Sequence, residues 1–330
     1  MKIVLVGNYK WEIYEKALID GFNYYKIKVI PYKIDTFSLK EKIVNFDKIK
    51  KINDIFLKDI LKIDPDVLFF YRCNEILSST IKKIKQFKPS IKIITYHNDN
   101  PYKGLKNKIK YYNFLHIAKY YADLVYVFRP SNINYFKTNS NVKILMPYYY
   151  SKYLIEKINF DKKIYDVIFI GHYEKDRGEI INYLLSKNIN VKVFSSDIKW
   201  KKNIQKKEFL FSGVYGIDYY KTLNHAKIAL TFLSKKNEDP YTRRNFEIPA
   251  SGTLQFSEYT PELANIFNEN EIVFFKDKEE LGKKIRFYLS NINVLNKLTL
   301  NSYIKVKNGP YCEKGKALQI LNDIKKLGIS

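Results

Sequence analysis

The sequence predicts an α/β fold built from two doubly wound parallel-sheet halves, and three observations carry that prediction. Short apolar runs alternate with longer amphipathic runs along the 330 residues, the pattern that builds right-handed βαβ units and a parallel sheet. The alternation begins twice: KIVLVG at 2–7 is echoed by DVIFIG at 166–171, and Gly7-Asn8-Tyr9 by Gly171-His172-Tyr173. VLFFY at 67–71 is an uninterrupted apolar run, as expected for a strand buried on both faces.

In order, the first half reads as strands at 2–7, 28–32, 67–71, 91–96, 124–128 and 142–146. Helices fall between them, among them one over 39–63 and one over 105–121. The second half reads as strands at 166–171, 191–195, 208–212, 228–232, 253–256 and 272–275. Thr260-Pro261 is a helix start, with Thr as cap and Pro at the first helical position. Helices over 277–289 and 313–327 close the chain. The expected domains are 1–150 and 164–330, joined by a Tyr- and Lys-rich linker at 151–163, with the last helix also a candidate to pack back on the first half. Two such halves place a binding cleft at the carboxyl ends of their strands.

The totals exclude several classes. No apolar run approaches the roughly 20 residues of a membrane-spanning helix, and the N-terminus lacks a signal-peptide pattern. Cys73 and Cys312 match neither a disulfide framework nor a metal site, and His97, His116, His172 and His225 are isolated. A reducing cytoplasm is the expected home, with no metal required. The net charge of +24 is spread along the chain with an excess of Lys, Ile, Asn and Tyr, as in an AT-rich genome. It is therefore read first as compositional background, and second as a preference for an anionic membrane at its inner face. Nucleic-acid binding rests on charge alone and lacks clustered arginine and a groove-reading helix. Only six of the 58 basic residues are arginine: Arg72, Arg129, Arg177, Arg243, Arg244 and Arg286. Arginine among lysines marks places where a planar, two-pronged donor is wanted.

The stretch at 238–258, with Lys236-Asn237 before it, reads as a polar loop, a helix over 241–250, a turn at Ser251-Gly252 and a strand. Arg243 and Arg244 open that helix, and Glu247 shares a face with Arg243 at i, i+4. The free N–H groups of a helix start suit a phosphate. Paired cations with a carboxylate one turn on suit a nucleotide sugar, with diphosphate at one end and vicinal hydroxyls at the other; a plain surface Arg–Glu pair is the alternative. Gly171 lets a ligand approach the backbone, and His172 beside it can donate to a phosphate.

The segments DVIFIGHYEKDRGEIINYL, FSGVYGIDYYKTLNHAKIALTF, TRRNFEIPASGTLQFSEYTPEL, EIVFFKDKEELGKKIRFYL and GPYCEKGKALQIL, in this order and spacing, make residues 166–321 resemble the C-terminal domain of glycosyltransferases of the two-Rossmann (GT-B) architecture. More closely, they resemble the CgeB-like and group 1 glycosyl transferases. The first half is similar through DPDVLFFY, the Asn98-Asp99-Asn100-Pro101 turn and ADLVYVF. The resemblance implies a bacterial enzyme of surface-polysaccharide biosynthesis. It would move a sugar from a nucleotide-diphosphate donor to a glycan, lipid-linked or protein acceptor; the alternative is a non-catalytic protein that keeps the fold. Two glutamates eight residues apart flank the donor in retaining relatives. Glu247 is similar to the second, which holds the ribose hydroxyls, and Asp239, beside Glu238, stands where the first would be. The resemblance makes Arg243 and Arg244 the diphosphate ligands, Arg177 a phosphate-facing base and Tyr215 a stacking partner for the nucleotide base. Asn8, Arg72, His97 and Asp99 fall on the acceptor side. An inverting enzyme would draw its general base from His97 or Asp99, with capping of the following turn as the other role for Asp99.

Overall fold

A computed structural model describes residues 1–136, 141–154, 158–235 and 237–329. The chain divides into two compact units, Met1–Met146 with Glu313–Ser330, and Pro147–Cys312.

The first unit runs β1 (Ile3–Gly7), α1 (Glu15–Tyr24), β2 (Val29–Lys33), α2 (Leu39–Val44), α3 (Phe46–Ile63), β3 (Val67–Tyr71), α4 (Ser78–Phe87), β4 (Lys92–His97), α5 (Gly104–Lys110), α6 (Tyr112–Tyr120), β5 (Leu124–Val127) and β6 (Val142–Ile144). Its six strands are parallel in the order β2-β1-β3-β4-β5-β6. Every residue of β1 and β3 is buried, as continuous apolar runs require, and Phe56 and Ile60 of α3 pack into one side of this core.

Two helices differ from expectation. The single helix read over 39–63 is two, because the chain breaks at Asn45 (φ −111°, ψ 40°), and a Ser38/Glu41 capping box starts the first. The helix read over 105–121 breaks likewise at Tyr111.

The second unit runs β7 (Tyr165–Ile170), α7 (Lys175–Ser186), β8 (Val191–Phe194), α8 (Ile198–Asn203), β9 (Leu210–Phe211), α9 (Gly216–Asn224), β10 (Ala226–Thr231), α10 (Arg244–Ala250), β11 (Leu254–Glu258), α11 (Pro261–Ala264), β12 (Val273–Phe275), α12 (Lys278–Ser290) and α13 (Ile292–Asn308). Its sheet is again parallel, in the order β12-β11-β10-β7-β8-β9. The Thr260 hydroxyl caps α11, accepting from the Leu263 N–H at 3.1 Å. α13 has no counterpart in the reading of the sequence. Its Ile, Asn, Val and Thr are weak helix formers, and burial of Leu295, Leu298, Thr299, Ser302 and Val306 at helical spacing overrides them.

The last helix, α14 (Glu313–Lys325), belongs to the first unit. It lies on α1 so closely that a Cβ on Gly21 would sit 2.4 Å from the Glu313 carbonyl oxygen. Asp323 accepts from the Tyr126 hydroxyl at 2.8 Å and from Lys143, and Gln319 donates to the Ile144 carbonyl at 2.9 Å. Among the described residues, no helix is long and apolar enough to cross a membrane.

The expected linker at 151–163 is, where described, part of the second unit; its residues 155–157 lie outside the described residues. Lys163 is built into that unit, its ammonium donating to the Asn224 and Gly252 carbonyls and to Thr253 Oγ1. Burial pushes this amine down to about 7. The unfolded chain holds its proton up to about pH 10.4, so between about pH 7 and 10 the unfolded state binds more protons and stability rises with pH. Urea unfolding at pH 7 and 9 should show the wild type gaining stability relative to Lys163→Met as pH rises. A difference that stays constant would refute the buried ammonium.

Candidate functional site

In the second unit the chain leaves β7 for β8 and β9 on one side, then returns to β10 on the other. The loops after β7 and β10 therefore diverge, and open α/β sheets bind ligands at such a switch point. Gly171 follows β7. A Cβ there would sit 2.8 Å from the Phe169 ring and 3.4 Å from Arg244 Nη2, so glycine lets the Arg244 guanidinium lie against this backbone. The Gly171 carbonyl is held from below by Trp200 Nε1 at 3.0 Å.

Around this glycine the charges divide unevenly. Arg177, in the first turn of α7, is buried. Its Nη2 pairs with Glu174 at 2.8 Å, and its Nη1 lies 3.1 Å from His172 Nε2. His172 Nε2 also meets Glu174 Oε1 at 2.8 Å. Arg177 feels Arg244 as a like charge, after burial and the opposing Glu174. The nearby carboxylates are committed: Glu174 to Arg177 and His172, Asp176 to Lys235 at 3.1 Å, and Glu258 to the Leu233 N–H at 2.7 Å. Arg244 makes no hydrogen bond or ion pair among the described residues, and its Nε is buried without a partner. A guanidinium with unused donors, beside a second buried arginine and a bare glycine backbone, has the chemistry to receive an anion.

Glu258 was not singled out in the sequence. It ends β11, and burial pushes its carboxyl up. The signal was there in FSE: a lone acid closing an apolar strand at the sheet's carboxyl end. It borders a pocket of about 390 Å³ with Leu233, Lys235, Glu238, Asp239 and Tyr259. Asp239 thus reaches a cavity beside the switch point, and the Asp239 N–H donates to the Ser234 carbonyl at 3.1 Å. Lys236 lies outside the described residues.

Arg243 and Glu247 form a second network. The i, i+4 pair is made, Arg243 Nε to Glu247 Oε1 at 3.1 Å, and the Arg243 guanidinium lies 5.0 Å from the centre of the Tyr148 ring. Glu247 is buried and also accepts from Tyr219 at 2.9 Å and Tyr220 at 3.4 Å. Burial and then Glu247 push both phenols well above their usual range. This pair is therefore not the surface pair that spacing alone allowed. The helix carrying it begins at Arg244, not 241, so Arg243 precedes its first turn and the two arginines take different surroundings. With seven residues, it is also too short for its dipole to be the anion seat. Tyr215 precedes α9 with its ring more than half exposed.

The first unit has its own switch point, between β1 and β3. Arg72 follows β3 with φ +57°, its guanidinium 4.3 Å from the centre of the Tyr14 ring, and its Nε and Nη1 buried without partners. Glu15 is fully buried beneath the loop after β1. Its Oε1 accepts the Asn8 N–H at 3.3 Å, and its Oε2 has no partner. Burial pushes the Glu15 carboxyl up. His97 Nδ1 accepts the Asp99 N–H at 3.1 Å, so the ring proton sits on Nε2. Burial pushes His97 down to about 4. The Nδ1 lone pair is thus engaged by the Asp99 N–H, and burial opposes protonation of the ring. Burial works to raise the Asp99 carboxyl, but His97, the Tyr111 hydroxyl at 2.8 Å and Arg72 outweigh it and hold it below its usual value.

Two six-stranded parallel sheets, each doubly wound with its own switch point, define the two-Rossmann, GT-B class of protein. Residues 177–314 match the model of a family described as glycosyl transferase-like. The fold is shared with sucrose-phosphate synthase from Thermosynechococcus elongatus, at 13% identity over 99% of both chains and a TM-score of 0.71. It is shared equally with a glycosyltransferase from Rickettsia africae, at 13% identity over 98% of both chains and a TM-score of 0.72. Anabaena HepE, solved with UDP and glucose, aligns at 10% identity over 98% of this chain and 99% of its own, with a TM-score of 0.67. No curated protein matches the chain.

Proposed function

We propose that this chain transfers a sugar from a nucleoside-diphosphate sugar to a hydroxyl of a glycan, lipid-linked or protein acceptor. The observation that carries the reading is Arg244, an unpaired guanidinium against Gly171 and within reach of the charge on buried Arg177. As the bond from the anomeric carbon to the diphosphate oxygen breaks, negative charge grows on the leaving nucleoside diphosphate. Donors already in place there stabilise it without reorganisation. Here Arg244 takes the phosphate oxygens and Arg177 adds field, so arginine supplies the charge that a metal would otherwise provide. The acceptor oxygen forms the new bond and gives up its proton. In an inverting course Asp99, ionised and partnered by Tyr111, takes that proton rather than His97. The pocket beside Asp239 and Glu258 is assigned to the sugar, Tyr215 to the base, and Glu247 to the ribose once Tyr219 gives way.

The test is a thermal-shift screen with UDP, GDP, dTDP, CDP and their sugars. A ligand that binds only the folded protein raises the melting temperature by mass action. One nucleotide family should stabilise the protein, and its sugar should be turned over at equal rates with and without EDTA. No response from a folded sample to any of them would favour a protein that keeps the fold without the chemistry.

A further inference from the structure

Arg72 and Glu15 stand at the switch point of the first unit, and neither takes part in the departure of the diphosphate or in proton removal. Arg72 Nε and Nη1 and Glu15 Oε2 are buried without partners, and buried polar atoms of this kind are few in a folded protein. Each side chain feels the other's charge, yet no ion pair joins them among the described residues. Buried donors after β3 and a buried acceptor beneath the loop after β1 are thus left unbridged.

The backbone is set apart at the same place. Arg72 holds φ +57°, a left-handed conformation rarely adopted by residues other than Gly, Asn and Asp. Such strain persists where the surroundings fix it, and it gathers at ligand sites. Charge then decides which ligand fits. Burial works against the Arg72 cation, and Tyr14, Tyr71, Glu15 and Asp99 outweigh it. An anion drawn to this single arginine would also meet the Asp99 and Glu15 carboxyls. A hydroxyl meets no such conflict, because it accepts a hydrogen bond and donates one.

We propose that the switch point of the first unit binds a neutral sugar ring through two adjacent hydroxyls, one accepting from Arg72 and the other donating to Glu15. The acceptor of the transfer is then a sugar hydroxyl, not a protein side chain and not a sugar that carries phosphate. The Tyr14 ring, 4.3 Å from the Arg72 guanidinium, restricts the plane of the fork. Glu15 Oε1 is occupied by the Asn8 N–H at 3.3 Å, which leaves Oε2 for the ligand. The role of this ring as acceptor rests on the sugar-transfer reading; its binding does not.

The test is saturation-transfer NMR of the full chain with methyl glycosides of neutral hexoses and pentoses, with glucose 6-phosphate and with glucuronate, all without nucleotide. At least one neutral glycoside should bind saturably and more tightly than both anionic sugars. Its deoxy analogue, lacking one hydroxyl of the bound pair, should bind about tenfold more weakly or worse, because the groups of the site are then left unpaired. Arg72→Met and Glu15→Gln should each weaken the same glycoside by about tenfold. Both should melt at or above the wild-type temperature, since the atoms removed have no partner to lose. Tighter binding of an anionic sugar, wild-type affinity in either variant, or a loss of binding that comes with a lower melting temperature would each overturn the proposal. So would the failure of every neutral glycoside to bind. Because no nucleotide is present, a silent nucleotide screen leaves this result standing, and a failure here leaves the nucleotide reading to its own screen.

Discussion

Arg244→Ala is expected to remove most of the thermal stabilisation given by the preferred nucleoside diphosphate and to weaken its binding by about 10- to 100-fold. A hydrogen bond to a charged group contributes about 1.5–3 kcal/mol, and each 1.4 kcal/mol is about tenfold in affinity. The loss should carry into turnover as well, because charge grows on the leaving diphosphate as the bond breaks. Arg244→Lys should recover part of the binding, since it keeps the charge and loses the fork. The control is Arg286→Ala. Arg286 donates to the Lys187 carbonyl at 2.6 Å on the exposed face of α12, and its loss should leave nucleotide binding at the wild-type level. Isothermal titration of the three variants reads these outcomes directly. Wild-type affinity in Arg244→Ala would remove the anion site from Gly171.

Trp200→Ala is expected to cost about 3–5 kcal/mol in the unfolding of the second unit, a large part of the ~5–15 kcal/mol that holds a typical domain together. Trp200 is completely buried, 5.8 Å from Phe169 and 5.1 Å from Tyr173 between ring centres, within the core that includes Val167, Val191 and Leu230. Its removal leaves a cavity and also frees the Gly171 carbonyl. Trp200→Phe separates the two effects. Most of the packing stays and only the Nε1–H bond is lost, for about 1 kcal/mol. That milder variant should still weaken nucleotide binding, because the β7 loop loses its tether. Urea unfolding followed by circular dichroism gives the first quantity and titration the second. A Trp200→Ala cost below 1 kcal/mol would contradict the packing described for this core.

The helix breaks at Asn45 and Tyr111 show where local reading ended. Neither position carries Pro or Gly, and the apolar period runs through both, so nothing local in the sequence announces either break. α13 shows the opposite error, a helix built from residues that favour other states and held by its buried stripe. In the site, the pairing of Arg243 with Glu247 was legible because i, i+4 geometry is local. Its burial under Tyr219 and Tyr220 was not, since those rings come from α9, about 27 residues earlier in the chain. His97 and Asp99 were visible as a polar turn at a strand end. The bond from the Asp99 N–H to Nδ1, which engages one nitrogen of the ring, appears only in the fold.

What composition and order alone determined is the pair of doubly wound sheets. Continuous apolar runs between amphipathic helices leave little else that buries every backbone group. They also drew attention to the loops after β7 and β10, because those are the carboxyl ends of the central strands. Which arginine stays unpaired was decided by tertiary structure. Arg243 and Arg244 are adjacent and chemically identical, yet one is drawn to a buried carboxylate and a tyrosine ring while the other lies over a glycine with nothing to bind. Pairing depends on which acceptors the fold brings within about 3 Å, and those acceptors lie far away in the chain.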